Sequence, residues 1–112
     1  MDFRLSDEQR ALRERARDFT KQAIEPRVAQ LDEDWREGEV AHAILTDAAQ
    51  SGILALPVPE SLGGEGADNV ACVLALEELG AGDGGIATAI GASWFGQTPM
   101  LMAAQPELRD EW

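Results

Sequence analysis

The sequence contains neither lysine nor arginine between Glu37 and Leu108, although nine of its 112 residues are basic. A surface that binds nucleic acid or phosphate groups needs clustered basic side chains. The C-terminal two-thirds of the chain lacks them, so we expect no nucleic-acid partner. An anionic ligand could be held there only by its apolar part or by helix N-termini.

Cysteine and histidine occur once each, and tyrosine is absent. Cys72 lies in the apolar run 70–74, which predicts a small buried thiol and excludes an intrachain disulfide. The lone His42 leaves too few ligands for a metal site and no partner for a Ser-His-Asp grouping. Most acids, including the neighbouring Glu77 and Glu78, are interpreted as structural or solvated groups. We therefore expect no metal ligand and no catalytic residue.

Long apolar segments are also few. Met1–Ser6 has no signal-peptide core, so a cytoplasmic location is expected. Residues 84–106 are uncharged and long enough to cross a bilayer, but four glycines and several polar residues interrupt them. We expect two short helices here and no membrane contact, with Thr98 capping the second helix and Pro99 in its first turn.

A total of 45% apolar residues and a net charge of −12 suit one small globular domain. Ser6 and Gln9 form a capping box that begins the first helix. Its apolar stripe consists of Leu12, Ala16, Phe19 and Ala23. Pro26 moves Glu25 away from helical geometry and ends this helix near Ile24, with Val28 and Leu31 on a short continuation.

The middle of the chain has weaker signals. A second helix is expected at 40–50, closed by Gly52. Two prolines predict an extended segment at 53–59, followed by a glycine-rich loop at 60–67. Asp68 caps a helix that runs to about Leu79 and is apolar on most sides. No alternating strand pattern occurs, so the predicted fold is an all-α bundle of five or six helices.

The helix that begins at Gly84 has two unlike faces. At about 100° per residue, one arc carries Thr88, Gly91, Ala92 and Phe95. The opposite arc is bulkier, with Ile86, Ile90, Ser93 and Trp94. A stripe of small residues either packs closely against another helix or forms one wall of an apolar groove. Spacing alone favours close packing.

Seven short motifs follow one another along nearly the whole chain. They are LSDEQ (5–9), PRVA (26–29), GIL (52–54), PVPE (57–60), GGEG (63–66), ALEEL (75–79) and GQTP (96–99). Together they resemble the N-terminal helical domain of the acyl-CoA dehydrogenases. Leu62 and Gln105 depart from the family pattern, which has an aromatic residue and a capping Thr or Ser at these places.

The resemblance implies a fragment of a larger FAD-dependent enzyme that performs α,β-dehydrogenation of acyl-CoA thioesters. Residues 1–112 are then its first domain, without the central β-domain and the C-terminal helical domain. Those domains carry the glutamate base and most FAD contacts, so this chain alone is inactive. Family members are commonly homo-oligomers. The resemblance also places the acyl tail beside the helix from Gly84, which favours the groove and assigns Thr88, Gly91, Ala92 and Phe95 to substrate binding.

Two alternatives stay open. A stand-alone acidic helical module could use the uncharged surface at 84–104 to bind a partner helix. An acyl-CoA oxidase or related flavoenzyme shares the same domain, and nothing in these residues separates it from a dehydrogenase. The sequence also leaves acyl chain length and electron acceptor open.

Overall fold

The part of the chain that the computed structural model describes, residues 1–111, contains six α-helices, one π-helical turn and three 3₁₀ turns, joined by loops. The helices are α1 (Asp7–Phe19), α2 (Val28–Glu33), α3 (Glu39–Gln50), α4 (Asn69–Gly82), α5 (Gly84–Ala103) and α6 (Pro106–Glu111). The described residues contain no β-strand. The all-α prediction is therefore confirmed.

The start of α1 has the predicted capping box. The Ser6 hydroxyl accepts a hydrogen bond from the Gln9 backbone N–H, and the Gln9 side-chain oxygen accepts one from the Ser6 N–H, both at 3.0 Å. The Gln9 amide also donates to the carboxylate of Asp68 at 3.0 Å. Asp68 caps α4 through the Ala71 N–H. One cluster of polar groups thus begins both helices.

The first helical segment ends at Ile24 and a short continuation contains Val28 and Leu31, as predicted, but the chain does not leave helical geometry before Pro26. A π-helical turn, Thr20–Ile24, follows α1, and a 3₁₀ turn, Glu25–Arg27, follows that. Glu25 has helical dihedral angles, φ −51° and ψ −42°, so the expected departure from helical geometry is wrong. The wider π turn directs the Glu25 N–H to the Thr20 carbonyl. Pro26 then stands at the beginning of a new turn, where its missing N–H is tolerated.

The segment 53–59 is not extended. Ile53–Ala55 is a 3₁₀ turn, in which the N–H of Leu56 donates to the Ile53 carbonyl at 3.4 Å. The N–H of Val58 then donates to Ala55 at 3.1 Å. Prolines at 57 and 59 block an α-helix but leave these donors free, so the chain coils into successive turns.

The predicted break at Gln97-Thr98-Pro99 is also wrong, because α5 continues through Pro99. The Thr98 hydroxyl donates to the Trp94 carbonyl at 3.0 Å and does not cap a new helix. Pro99 and Phe95 are both exposed. Because Pro99 has no N–H, the Phe95 carbonyl has no helical hydrogen-bond donor. This carbonyl therefore lies on the solvent-exposed side of α5. None of the helices within residues 1–111 is sufficiently long and apolar to span a bilayer.

The core lies between α1, α4, α5 and α3. It consists mainly of Ala16, Ile24, Ile44, Ala48, Ile53, Leu56, Cys72, Ala75, Leu79, Ile86, Ile90 and Trp94. Cys72 is buried, as predicted, and burial raises the pKa of its thiol. Such a thiol is unreactive at neutral pH. The small residues among these allow α1, α4 and α5 to approach one another closely.

Candidate ligand groove on α5

A tight hairpin of two helices forms the candidate site. Asp83 alone joins α4 to α5, and its carboxylate accepts the Ile86 N–H at 2.8 Å, which caps α5. Near the connection, a Cβ placed on Gly80 would lie 3.8 Å from the Ala87 Cβ. The hairpin is therefore closed at this end because small residues face each other.

Further along the hairpin, a shallow groove of about 360 Å³ opens between the two helices. It is lined by Leu76, Ala87, Thr88, Gly91, Ala92 and Phe95. All four residues singled out from the sequence lie together on it. Gly91 is buried and forms its floor. The Thr88 hydroxyl donates to the Gly84 carbonyl at 2.7 Å, so this side chain has no hydroxyl hydrogen left to offer a ligand.

The groove is open on its outer side. Thr88 and Ala92 are exposed, and the Phe95 side chain, at 80% exposure, stands at the rim. The opposite face of α5 packs into the core through Ile90 and Trp94. On this face of α5, Gly91 lies against Leu76 of α4, where a Cβ on the glycine would be 3.5 Å from the Leu76 Cδ2, while Thr88, Ala92 and Phe95 stay exposed. An enclosed pocket at this place requires a second surface.

A larger cleft of about 780 Å³ lies on another side of α5, between the turns at 55–63, the C-terminal half of α5, and α6. The Trp94 indole donates to the Ile53 carbonyl at 3.2 Å, and the Gln97 amide donates to Leu54 at 3.0 Å. These bonds attach the turns to α5. Sequence reasoning missed the cleft because it expected 53–59 to be extended and α5 to end before Thr98.

Glu78 is the most strongly perturbed carboxyl group. Its carboxylate accepts hydrogen bonds from Arg13 at 2.8 Å and from Arg17 at 2.8 and 3.0 Å. The hydrogen bonds from Arg17 and Arg13 lower its pKa from 4.5 to about 2. Glu78 stays ionised at neutral pH and cannot act there as a general acid. Glu77 points to solvent. No group of three potential metal ligands occurs among the described residues.

Comparison with known proteins agrees with this fold. Residues 6–112 match the family model described as acyl-CoA dehydrogenase, N-terminal domain. A probable acyl-CoA dehydrogenase of Bacillus subtilis, YngJ, is 33% identical over 102 residues, which cover 89% of this chain and 26% of that protein. The 3-(aryl)acrylate reductase of Clostridium sporogenes is 32% identical over 96% of this chain and 28% of its own length.

One solved structure has the same fold with a TM-score of 0.83 and 24% identity, over all of this chain and 29% of the matched one. That structure is described as "Electron transferring flavoprotein of Acidaminococcus fermentans: Towards a mechanism of flavin-based electron bifurcation". The fold is thus that of a helical domain from a larger protein. The chain belongs to the acyl-CoA dehydrogenase family, whose N-terminal domain it matches. It spans about a quarter of the length of the relatives named above.

Proposed function

We propose that this chain is the N-terminal part of an FAD-dependent acyl-CoA dehydrogenase and that the groove of Leu76, Thr88, Gly91, Ala92 and Phe95 holds the acyl tail. The observation that carries the proposal is the groove itself, which is apolar, uncharged and floored by a glycine. It offers contact to a hydrocarbon tail and no cation to a phosphate. The family membership supports the reaction class.

The groove supplies only one wall, so the central β-domain and the C-terminal helical domain of the complete enzyme would close it. Those domains would also hold FAD, the glutamate base and the charged part of coenzyme A. The flavin supplies the redox chemistry when it is bound. The residues of α4 and α5 position the tail and exclude water from it.

Substitution of Gly91 by Phe tests the groove in the full-length enzyme that carries this domain. A phenyl ring there fills the groove, so turnover of long acyl chains should fall at least about tenfold more than turnover of short ones. Gly96→Phe is the matched control, because Gly96 is an exposed glycine of the same helix that lines the larger cleft. We expect little dependence on chain length for that variant.

Each outcome has a separate meaning. An equal loss on long and short chains in Gly91→Phe would remove Gly91 from the tail site. A chain-length effect in Gly96→Phe alone would move the tail to the larger cleft. The measured quantity is kcat/KM across a series of saturated acyl-CoA substrates.

A second candidate function is an acidic helical module that binds a partner helix. The exposed apolar side chains of Val70, Val73 and Phe95 favour it, because such a surface suits a protein partner. If the coding sequence continues into a β-domain and a C-terminal bundle, the chain is part of the enzyme and not a separate module.

Rapid reaction of the reduced flavin with oxygen in that enzyme would indicate an acyl-CoA oxidase. A cytoplasmic location and a homo-oligomer stay predictions.

A further inference from the structure

The larger cleft beside α5 is mainly apolar, and no described residue fills it. The turns at 55–63 contribute Val58 and Leu62 to its walls, α5 contributes Met100, and α6 contributes Leu108. Protein interiors are close-packed, so an open apolar space of about 780 Å³ marks a place where another molecule or chain segment packs. The occupant that fits this cleft has an apolar body.

The helix α6 needs that occupant for its own stability. It has six residues, too few for a helix that is stable by itself. Leu108 is its only large apolar side chain, and this side chain lines the cleft and is 47% exposed. Filling the cleft would bury Leu108 and hold α6 in place. Such a role favours a permanent part of the protein over a ligand that binds and leaves.

Gln97 indicates which polar group the occupant carries. The side-chain amide of Gln97 donates to the Leu54 carbonyl at 3.0 Å. The Gln97 Oε1 atom is buried and accepts no hydrogen bond from the described residues. A buried acceptor without a donor is costly, and folded proteins rarely contain one. Because Gln97 lines the cleft, a backbone N–H of a polypeptide segment there could donate to this oxygen.

The smaller groove on α5 differs in this respect. The Thr88 hydroxyl donates to the Gly84 carbonyl, and none of the six residues that line the groove has a buried polar side-chain atom without a partner. The groove therefore suits a hydrocarbon. The cleft suits a chain that has N–H groups as well as apolar side chains.

We infer that the cleft holds a segment of the same polypeptide from beyond residue 112, which packs on Leu62 and Leu108 and donates a backbone N–H to Gln97. The chain spans about a quarter of the length of its relatives, so most of such a protein is available to supply the segment. The inference rests on the proposed function only in requiring a longer protein. It does not depend on the reaction or on an acyl tail in the groove.

Photo-cross-linking in the full-length protein identifies the occupant. A benzoylphenylalanine replaces Leu62 or Leu108, which belong to different walls of the cleft. The matched control carries it in place of Met102, an apolar residue of α5 that is 83% exposed and does not line the cleft. Mass spectrometry identifies the cross-linked peptides. Co-assembly of isotopically light and heavy protein distinguishes cross-links within one chain from cross-links between two chains.

Both cleft reporters are expected to cross-link within the chain to the same stretch beyond residue 112, and the control is not. Excess octanoyl-CoA should leave these cross-links unchanged. A second measurement needs no substitution, because Met100 lines the cleft and Met102 does not. In the native full-length protein, we expect hydrogen peroxide to oxidise Met100 at least about tenfold more slowly than Met102.

Three results would overturn the inference. Cross-links between chains would place a second copy in the cleft. Loss of the cross-links in octanoyl-CoA would show that the cleft holds the substrate. Absence of cross-links from both reporters, with equal oxidation of Met100 and Met102, would show that the cleft is open to water.

These failures are distinguishable from a failure of the proposed function. A full-length flavoenzyme that dehydrogenates acyl-CoA but gives any of the three results would contradict only the occupant of the cleft. The expected cross-links in a longer protein without that activity would contradict only the proposed function.

Discussion

Gly91 faces Leu76 across the α4–α5 hairpin at a distance that leaves room for a methyl group and little more. A Cβ placed on Gly91 would lie 3.5 Å from the Leu76 Cδ2 and 3.8 Å from its Cδ1, which are ordinary contacts. The floor of the groove is therefore a glycine without a steric need for one. Glycine lowers the stability of a helix relative to alanine, so its presence here indicates that the position serves to leave the groove empty.

The first prediction follows for Gly91→Ala. Alanine has the higher helix propensity, so the variant should be more stable than the parent chain by about 0.5–1 kcal/mol. Urea denaturation followed by circular dichroism measures the difference. A loss of stability would show that Leu76 cannot tolerate even a methyl group at this distance.

Gly82 should behave in the opposite way. Its Cβ would clash with Thr20 in the π turn, and the Ile24 Cγ2 would be 3.2 Å away. We expect Gly82→Ala to lower the free energy of unfolding by about 1–3 kcal/mol, as overpacking does.

Gly80→Ala is the matched control for that prediction, because its nearest atom is the Ala87 Cβ at 3.8 Å. It should be neutral or stabilising by up to about 1 kcal/mol. Thermal melts of the two variants, recorded side by side, decide the point. Equal destabilisation of both variants would mean that the loss of stability comes from any side chain at this end of the helix, and not from the contact with Thr20.

The sequence alone was sufficient to predict features that depend on residues close together in the chain. The capping box of Ser6 and Gln9 needs only residues three apart, and the Asp68 cap needs only its own turn. The small-residue arc of α5 was also predictable, because helical periodicity alone brings Thr88, Gly91, Ala92 and Phe95 to one face. Hydrophobic periodicity does not predict which element or ligand packs against such a face.

The errors came from proline and from long-range contacts. Pro99 has a local propensity that favours a helix end, yet α5 continues through it, and Glu25 keeps helical dihedral angles although Pro26 follows it. A π turn accommodates Pro26, and the exposed side of α5 accommodates Pro99. The buried side of α4 was not predictable from a helix that is apolar on most sides, and neither was the contact of Glu78 with Arg13 and Arg17, which lie more than 60 residues away in the sequence.

The Glu78 pair should make stability depend on pH in the acid range. Its pKa in the folded chain is about 2, below the ordinary value of 4.5. Folding therefore favours the ionised carboxylate, and its contribution is complete above pH 4.5 and lost as the pH falls towards 2. We expect the stability advantage of the parent chain over Glu78→Gln to shrink by about 1–2 kcal/mol over that range.

Urea titrations of both proteins at several pH values measure this difference. Comparing the two cancels the other carboxylates, which titrate in both chains. A difference that does not change with pH would show that Glu78 is not held ionised by the two arginines.

Pro99 offers the last test, on the continuity of α5. It is exposed and lies inside a 20-residue helix. Replacement by alanine restores the N–H that can donate to the Phe95 carbonyl and removes a ring from the helix interior. We expect Pro99→Ala to increase the free energy of unfolding by about 1–3 kcal/mol. Pro59→Ala is the control, because Pro59 lies in an exposed turn outside any α-helix and should not gain stability in this way. If Pro99→Ala were destabilising while Pro59→Ala were neutral, Pro99 would be the start of a separate helix, as its local sequence first indicates, and α5 would end before Thr98.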